Sequence, residues 1–98
     1  MSQNATRPSR PLRKDGVTLR RSGGEILLYD AAEDRVHVIN PPAAAIWDLC
    51  DGRTEPDEMV VAICQLTGMP EEVVDEDVAR LLGGLDDAHL IVWNDDPE

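Results

Sequence analysis

Side chains able to do chemistry are few and scattered along this chain. The two histidines, His37 and His89, stand in no motif with a cysteine, a serine or paired carboxylates, the arrangements that nucleophilic or general acid–base catalysis needs. His89 falls at the end of a predicted helix, where an imidazolium complements the partial negative charge of the C-terminus. Cys50 and Cys64 lie 14 positions apart in apolar stretches. That spacing fits no zinc site and offers no disulfide framework, so both are expected to serve as small apolar groups of the core. Glu71, Glu72, Asp75, Glu76 and Asp77 concentrate negative charge. They lack the alternating ligands and central glycine of a calcium loop, and on a helix they point several ways, as a solvated face does. Gly23-Gly24 and Gly83-Gly84 match no phosphate-binding fingerprint. The sequence therefore predicts no catalytic residue, no metal site and no cofactor, hence no enzyme acting alone.

Charge and length narrow the class. The 98 residues carry nine basic against 20 acidic side chains, a net charge of −11, and 42% are hydrophobic, the composition of one globular domain. The two signs are segregated: residues 1–22 hold six basic side chains and one acid, residues 23–98 three basic side chains and 19 acids. An acidic body repels phosphate backbones, which argues against nucleic acid and for a peptide or protein partner. No apolar run approaches a membrane span, and the polar first residues lack the apolar core of a secretory signal. The expectation is a cytoplasmic chain without membrane contact. Trp47, Trp93 and Tyr29 are the aromatics and there is no Phe, so the core must be aliphatic.

The elements that would position a binding surface can be read in order. Residues 1–16, with two prolines and four basic side chains, read as a flexible basic N-terminal arm; a domain is expected over 17–93 and a disordered acidic tail over 94–98. Val17 and Leu19 alternate with polar neighbours, Ser22-Gly23-Gly24 supplies a turn, and Glu25 to Tyr29 is a compact apolar run. In Arg35 to Ile39, Val36 and Val38 face one way while Arg35, His37 and Ile39 face the other. These three runs predict an antiparallel meander. Asn40 then caps a helix that takes Pro41 and Pro42 in its first turn, builds an apolar face from Ala43, Ile46, Trp47 and Cys50, and stops at Asp51-Gly52.

A second helix is expected to open with Thr54, Asp57 three residues on resembling a capping box. It carries Met59, Ile63 and Leu66 on one stripe and stops at Gly68. A third starts near Pro70-Glu71-Glu72, whose acids suit the positive end of the helix dipole. It places Val74, Val78, Leu81, Leu85 and Ala88 at steps of four and three, with Val73 and Leu82 widening the apolar arc. Gly83-Gly84 inside it is unfavourable by roughly 1 kcal/mol per glycine relative to alanine and marks either a kink or a close contact. Leu90 to Trp93 reads as a short C-terminal strand. The fold class is α+β, winged-helix-like: a three-stranded antiparallel sheet followed by three helices and a short last strand.

One resemblance emerges at residues 24–92. The run GEILLYDAAEDRVHVINPPAAAIWDLCDGRTEPDEMVVAI, followed by an acidic amphipathic helix and Leu90-Ile91-Val92, resembles the PqqD-like family, also called recognition elements for ribosomally made, post-translationally modified peptides. Its marks are the strand ending Leu27-Leu28-Tyr29-Asp30 and the next strand running into Asn40 and a helix with Ala44 and Ile46-Trp47. Leu49-Cys50-Asp51-Gly52 follows, with Thr54 opening the next helix. The basic arm lies outside the likeness, and the Pro41-Pro42 pair departs from many relatives. The resemblance implies a non-catalytic peptide chaperone. It would bind the leader of a precursor peptide as a strand added to the third predicted strand, against the third helix, and present the core to a modifying enzyme, often a radical S-adenosylmethionine enzyme.

The residues are compatible with that role. Strand addition needs an exposed, proline-free edge, which Arg35, Val36, His37, Val38 and Ile39 supply if their strand ends the sheet. Side-chain pockets are expected from Val74, Val78, Leu81 and Leu82, positions that core packing also claims. Asp77 and neighbouring acids would favour a leader with basic residues, Arg35 an acidic one, and the overall acidity favours the former. Two other readings stand beside this one. A winged-helix nucleic-acid binder using the arm requires basic residues on its recognition helix, yet residues 55–79 contain none. A structural or oligomerisation subunit would pair the same edge with itself, and such a homodimer is compatible with peptide binding.

Overall fold

In a computed structural model, residues 9–95 are described. The chain runs β1 (Ser9–Arg13), β2 (Val17–Ser22), β3 (Glu25–Asp30), β4 (Arg35–Ile39), α1 (Pro41–Leu49), α2 (Pro56–Thr67), α3 (Glu71–Asp87) and β5 (Ile91–Asp95). The α+β class is as the sequence indicates: β2, β3 and β4 form the antiparallel meander, in that spatial order, and the three helices follow it. Among the described residues, no helix is long and apolar enough to cross a membrane.

Local chemistry sets the hairpins. Gly23 and Gly24 both take positive φ, 58° and 87°. This is the two-residue turn whose twist matches flanking strands, and it closes β2 and β3 with Ser22 opposite Glu25. The β3–β4 connection is organised by Asp30. Its buried carboxylate accepts from the backbone amides of Ala32 at 3.1 Å and Glu33 at 3.3 Å, and from Lys14 Nζ at 3.0 Å. Asp34 closes the turn at a left-handed φ of 54°, which aspartate tolerates better than most residues, and accepts a hydrogen bond from the Tyr29 hydroxyl at 3.2 Å.

The first helix starts as its sequence dictates. The Asn40 side chain accepts from the Ala43 amide at 2.9 Å, and Pro41 and Pro42 occupy positions whose amides have no helical partner. The second begins one residue later than Thr54 and Asp57 suggest. Pro56 opens it, and the cap is the backbone amide of Glu55, which donates to Glu58 Oε1 at 2.8 Å. Thr54 is instead held with Arg53 in a turn around Asp51, whose Oδ1 accepts both amides. In α3 the residues Val74, Val78, Leu82 and Leu85 face inward. They join Leu28, Ile46, Trp47, Met59, Leu90 and others in the core, each such side chain contributing about 1.5–3 kcal/mol by leaving water. Cys50 is fully buried, donating to the Ile46 carbonyl, and Cys64 is half-buried.

The arm requires correction. Residues 9–13 form β1, paired antiparallel with β5 in a separate two-stranded sheet, so only 1–8 of the expected flexible segment lies outside the described residues. At the other end Asn94 and Asp95 belong to β5, and residues 96–98 of the expected tail also lie outside. Position-specific polar contacts explain why no alternation announces β1. The Gly52 amide donates to the Pro11 carbonyl at 2.9 Å, and the Arg13 amide donates to the Cys50 carbonyl at 2.9 Å. The Arg13 guanidinium donates to the carbonyls of Trp47 and Asp48 at the end of α1, where a cation meets the negative end of the helix dipole. Arg10 pairs with Glu55 at 3.1 Å. Gly52, with φ of 80°, passes so close to β1 that a Cβ there would come 3.1 Å from Leu12. The basic residues are thus partly spent on holding this strand down.

Candidate functional site

Among the described residues, strand β4 is paired on one side only, to β3, and ends its sheet. Which of its amides point outward follows from the register. The two-residue turn makes Ser22 and Glu25 a mutually hydrogen-bonded pair, and such pairs recur at every second residue. The amide of Ala31 donating to the Gly16 carbonyl at 3.0 Å continues that series. Residues 25, 27 and 29 of β3 therefore face β2, and 26, 28 and 30 face β4. Opposite them stand Ile39, His37 and Arg35. Val36 and Val38 are left with their N–H and C=O groups directed at the open edge. Their side chains are 58% and 64% exposed.

Beside that edge lies a groove of about 290 Å³ between β4 and the second half of α3. His37, Val38 and Ile39 form one wall; Arg80, Leu81, Gly84, Leu85 and Ala88 form the other; Asn40, Ala43 and Leu90 complete it. Among the described residues, the ionisable side chains in the lining are His37 and Arg80. Gly84 contributes bare backbone, and a Cβ built on it would meet no atom within 4 Å. Leu81 also borders a second depression, about 300 Å³ and largely apolar, floored by Val74 and Val78 and walled by Pro41, Pro42, Ala45, Ile63, Leu66, Thr67, Met69 and Asp77. Leu66, expected on the inner stripe of its helix, is instead 82% exposed here, and Met69 is 42% exposed. A third, larger hollow of about 560 Å³ between α2 and α3 is acidic, lined by Asp57, Glu71, Glu72 and Asp75 with Val60 and Val61. It shares no residue with the other two.

The residues expected from sequence divide accordingly. Arg35, Val36, His37, Val38 and Ile39 do form the sheet edge. Leu81 stands between the two depressions, and Asp77 is on the rim of the apolar one, bonded to Arg80 at 2.9 Å. Val74 and Val78, 1% and 2% exposed, are core residues that also floor the apolar depression, and Leu82, 4% exposed, lies in the core. Residues not foreseen are Arg80, Gly84, Ala88, Ala43 and Leu90 in the groove and Pro41, Pro42 and Met69 beside it. The signal that could have found Gly84 was already visible: a helix-destabilising residue where no neighbour requires it.

Four side chains are shifted by their surroundings. The Lys14 hydrogen bond, assisted by the Glu33 and Ala32 amides, outweighs burial and holds the Asp30 carboxyl below the usual range. Asp51 is lowered by the Arg53 and Thr54 contacts. The hydrogen bond to Asp34 raises the Tyr29 hydroxyl. Burial pushes the Cys50 thiol up to about 12, which leaves it protonated and unreactive. Among the described residues, no group of three or more His, Cys, Asp or Glu side chains is placed to hold a metal ion.

No curated protein sequence matches this chain. Three solved structures share its fold. "TbiB1 in Complex with the TbiA(beta) Leader Peptide" superposes with a TM-score of 0.70 at 22% identity, covering 82% of this chain and 93% of that one. "Lasso peptide synthetase B1 complexed with the leader peptide" gives 0.73 at 13% identity, covering 85% and 98%. The PqqD truncation of Methylobacterium extorquens PqqCD, described as a functional and stand-alone RiPP recognition element, gives 0.70 at 21% identity, covering 84% and 87%. Residues 25–91, from the first residue of β3 to the start of β5, match the family described as Coenzyme PQQ synthesis protein D (PqqD), and the chain belongs to that family.

Proposed function

We propose that this protein is a non-catalytic peptide chaperone that binds the leader of a ribosomally made precursor peptide. The observation that carries the proposal is an unpaired strand edge, Val36 and Val38 outward, lying directly beside a groove. An extended guest can satisfy those backbone groups by adding a strand, while alternate side chains enter the groove and supply discrimination. Membership of the PqqD family and the leader peptides named in two of the similar structures support this reading.

Bound at roughly micromolar strength, about −8 kcal/mol, a leader can be captured and released while its core is held near a modifying enzyme at high effective concentration. A radical S-adenosylmethionine maturase in the cytoplasm is the partner we favour. The engagement of Arg10, Arg13 and Lys14 in contacts with Glu55, the end of α1 and Asp30 weighs against nucleic acid, because it occupies three of the six basic groups that residues 1–22 would offer.

The test is titration of isotopically labelled protein with the leader of a precursor peptide encoded beside its gene. Amide shifts are expected at Val36, Val38 and from Arg80 to Ala88. Shifts confined to β1 and β5 would overturn the reading. Sedimentation of the free protein distinguishes a homodimer paired through β4, which the leader should dissociate.

A further inference from the structure

The distribution of charge around the groove carries an inference about the guest itself, and it rests on the peptide-binding reading above. The body is acidic, yet the groove is not. Among the described residues its lining contains Arg80 and His37 and no carboxylate, and the exposed Arg35 heads the neighbouring strand. The acids of α2 and the start of α3 line the separate hollow between those helices. Asp77, on the rim of the apolar depression, already accepts from Arg80 Nη1 at 2.9 Å and so offers little to a cation from a guest. Arg80 is 69% exposed at its side chain, and its guanidinium has five N–H donors, enough to hold Asp77 and a second carboxylate together.

Beyond Leu81 the surface changes character. The depression between Pro41, Pro42, Leu66 and Met69 is apolar apart from Thr67 and Asp77, and it shares Leu81 with the groove. A strand pairing with β4 passes Ile39 and Asn40 and then reaches Pro41, at the edge of this depression. A side chain entering there exchanges water for Leu66 and Met69, both of which the fold leaves exposed.

We propose that the site selects an extended peptide bearing an acidic side chain where it crosses Arg80 and a large apolar side chain where it crosses Pro41 and Leu66. Arg80 and Ala45, which also lines the apolar depression, are then residues that set specificity. This inverts the expectation from net charge: local cations, not the acidic body, choose the sign of the guest.

The experiment is mRNA display of a random dodecapeptide library on the full-length protein and on its Arg80→Glu and Ala45→Met variants. Amide spectra identify the peptides that bind at Val36 and Val38. Wild-type winners are expected to carry Asp or Glu and a large apolar residue at a fixed spacing. Arg80→Glu should replace the acid by Lys or Arg and weaken the wild-type winners about tenfold. Ala45→Met, filling the depression, should abolish the demand for the large apolar residue. Peptides that bind at β4 but show the same charge preference on Arg80→Glu, or the same apolar preference on Ala45→Met, would overturn this selection rule and leave peptide binding standing. A library from which nothing binds at β4 would overturn the peptide-binding reading, and the rule with it.

Discussion

Gly83 and Gly84 permit a sharp test, because they are adjacent in α3 yet differ in what they border. A Cβ at either position would meet no atom within 4 Å, and neither has a positive φ. The Cβ of a leucine thus has room at either position, and the substitution removes the helix penalty of glycine, a gain of about 0.8 kcal/mol. For a domain of this size that raises Tm by about 3–6 °C. The consequences for binding diverge. Gly84 lines the groove beside β4, which measures about 290 Å³, whereas Gly83 lines none of the hollows described. Gly84→Leu places four extra heavy atoms where the guest's side chains must go and should weaken leader binding by a factor of about ten or more, equivalent to about 1.4 kcal/mol. Gly83→Leu should leave affinity within about twofold while giving the same thermal gain. Thermal unfolding followed by circular dichroism gives the first quantity and fluorescence anisotropy of a labelled leader the second. A stabilised Gly84→Leu protein that binds normally would refute the assignment of the groove. Equal loss in both variants would show that the helix, and not the space beside Gly84, controls binding.

Three further outcomes are expected. Val38→Pro deletes an outward-facing amide and should abolish leader binding with the fold retained, whereas His37→Pro removes a donor to β3 and should unfold the hairpin; amide spectra of the two variants separate these effects. Because the folded-state pKa of Asp30 is depressed below 3.8 by its Lys14 hydrogen bond, its stabilising contribution is in place above that value and disappears as pH falls through the folded pKa. Urea midpoints measured from pH 7 down to pH 2 should show this loss in the wild type, and Asp30→Asn should show a lower midpoint at pH 7 with that part of the acid dependence missing. Finally, Cys50, buried and pushed up to about 12, should resist a thiol reagent in the native protein while the half-buried Cys64 reacts. A count of two fast thiols without denaturant would contradict the packing.

What could be read from the chain depended on how local the determinant was. The β2–β3 turn, the Asn40 cap and the alternation of β4 are encoded within a few residues, and each was legible. The start of α2 slipped by one because Asp51 captures Thr54, a competition between two short polar motifs that composition does not rank. Strand β1 was hidden because its support comes from far along the chain: Cys50, Gly52, Leu90 and β5. The edge of the site was legible for the same reason as the strand itself. Its helical wall was not. Periodicity marks a broad apolar arc on α3, but which part of the arc meets the core and which overhangs the sheet margin is decided by how the helix is rotated. Val74, Val78 and Leu82 went inward; Leu81 and Gly84, a little way round the same helix, and Ala88 at its C-cap border the groove.

The ribbon made by β1 and β5 has a consequence for linkage. Ser9 is the register partner of Asp95, so the polypeptide enters and leaves the domain through one doorway, in a sheet to which β4 does not belong. A passenger attached ahead of Ser9 or after Asp95 would depart from the same edge of the domain, and joining residues 9 and 95 while opening a surface turn elsewhere asks for only a short bridge.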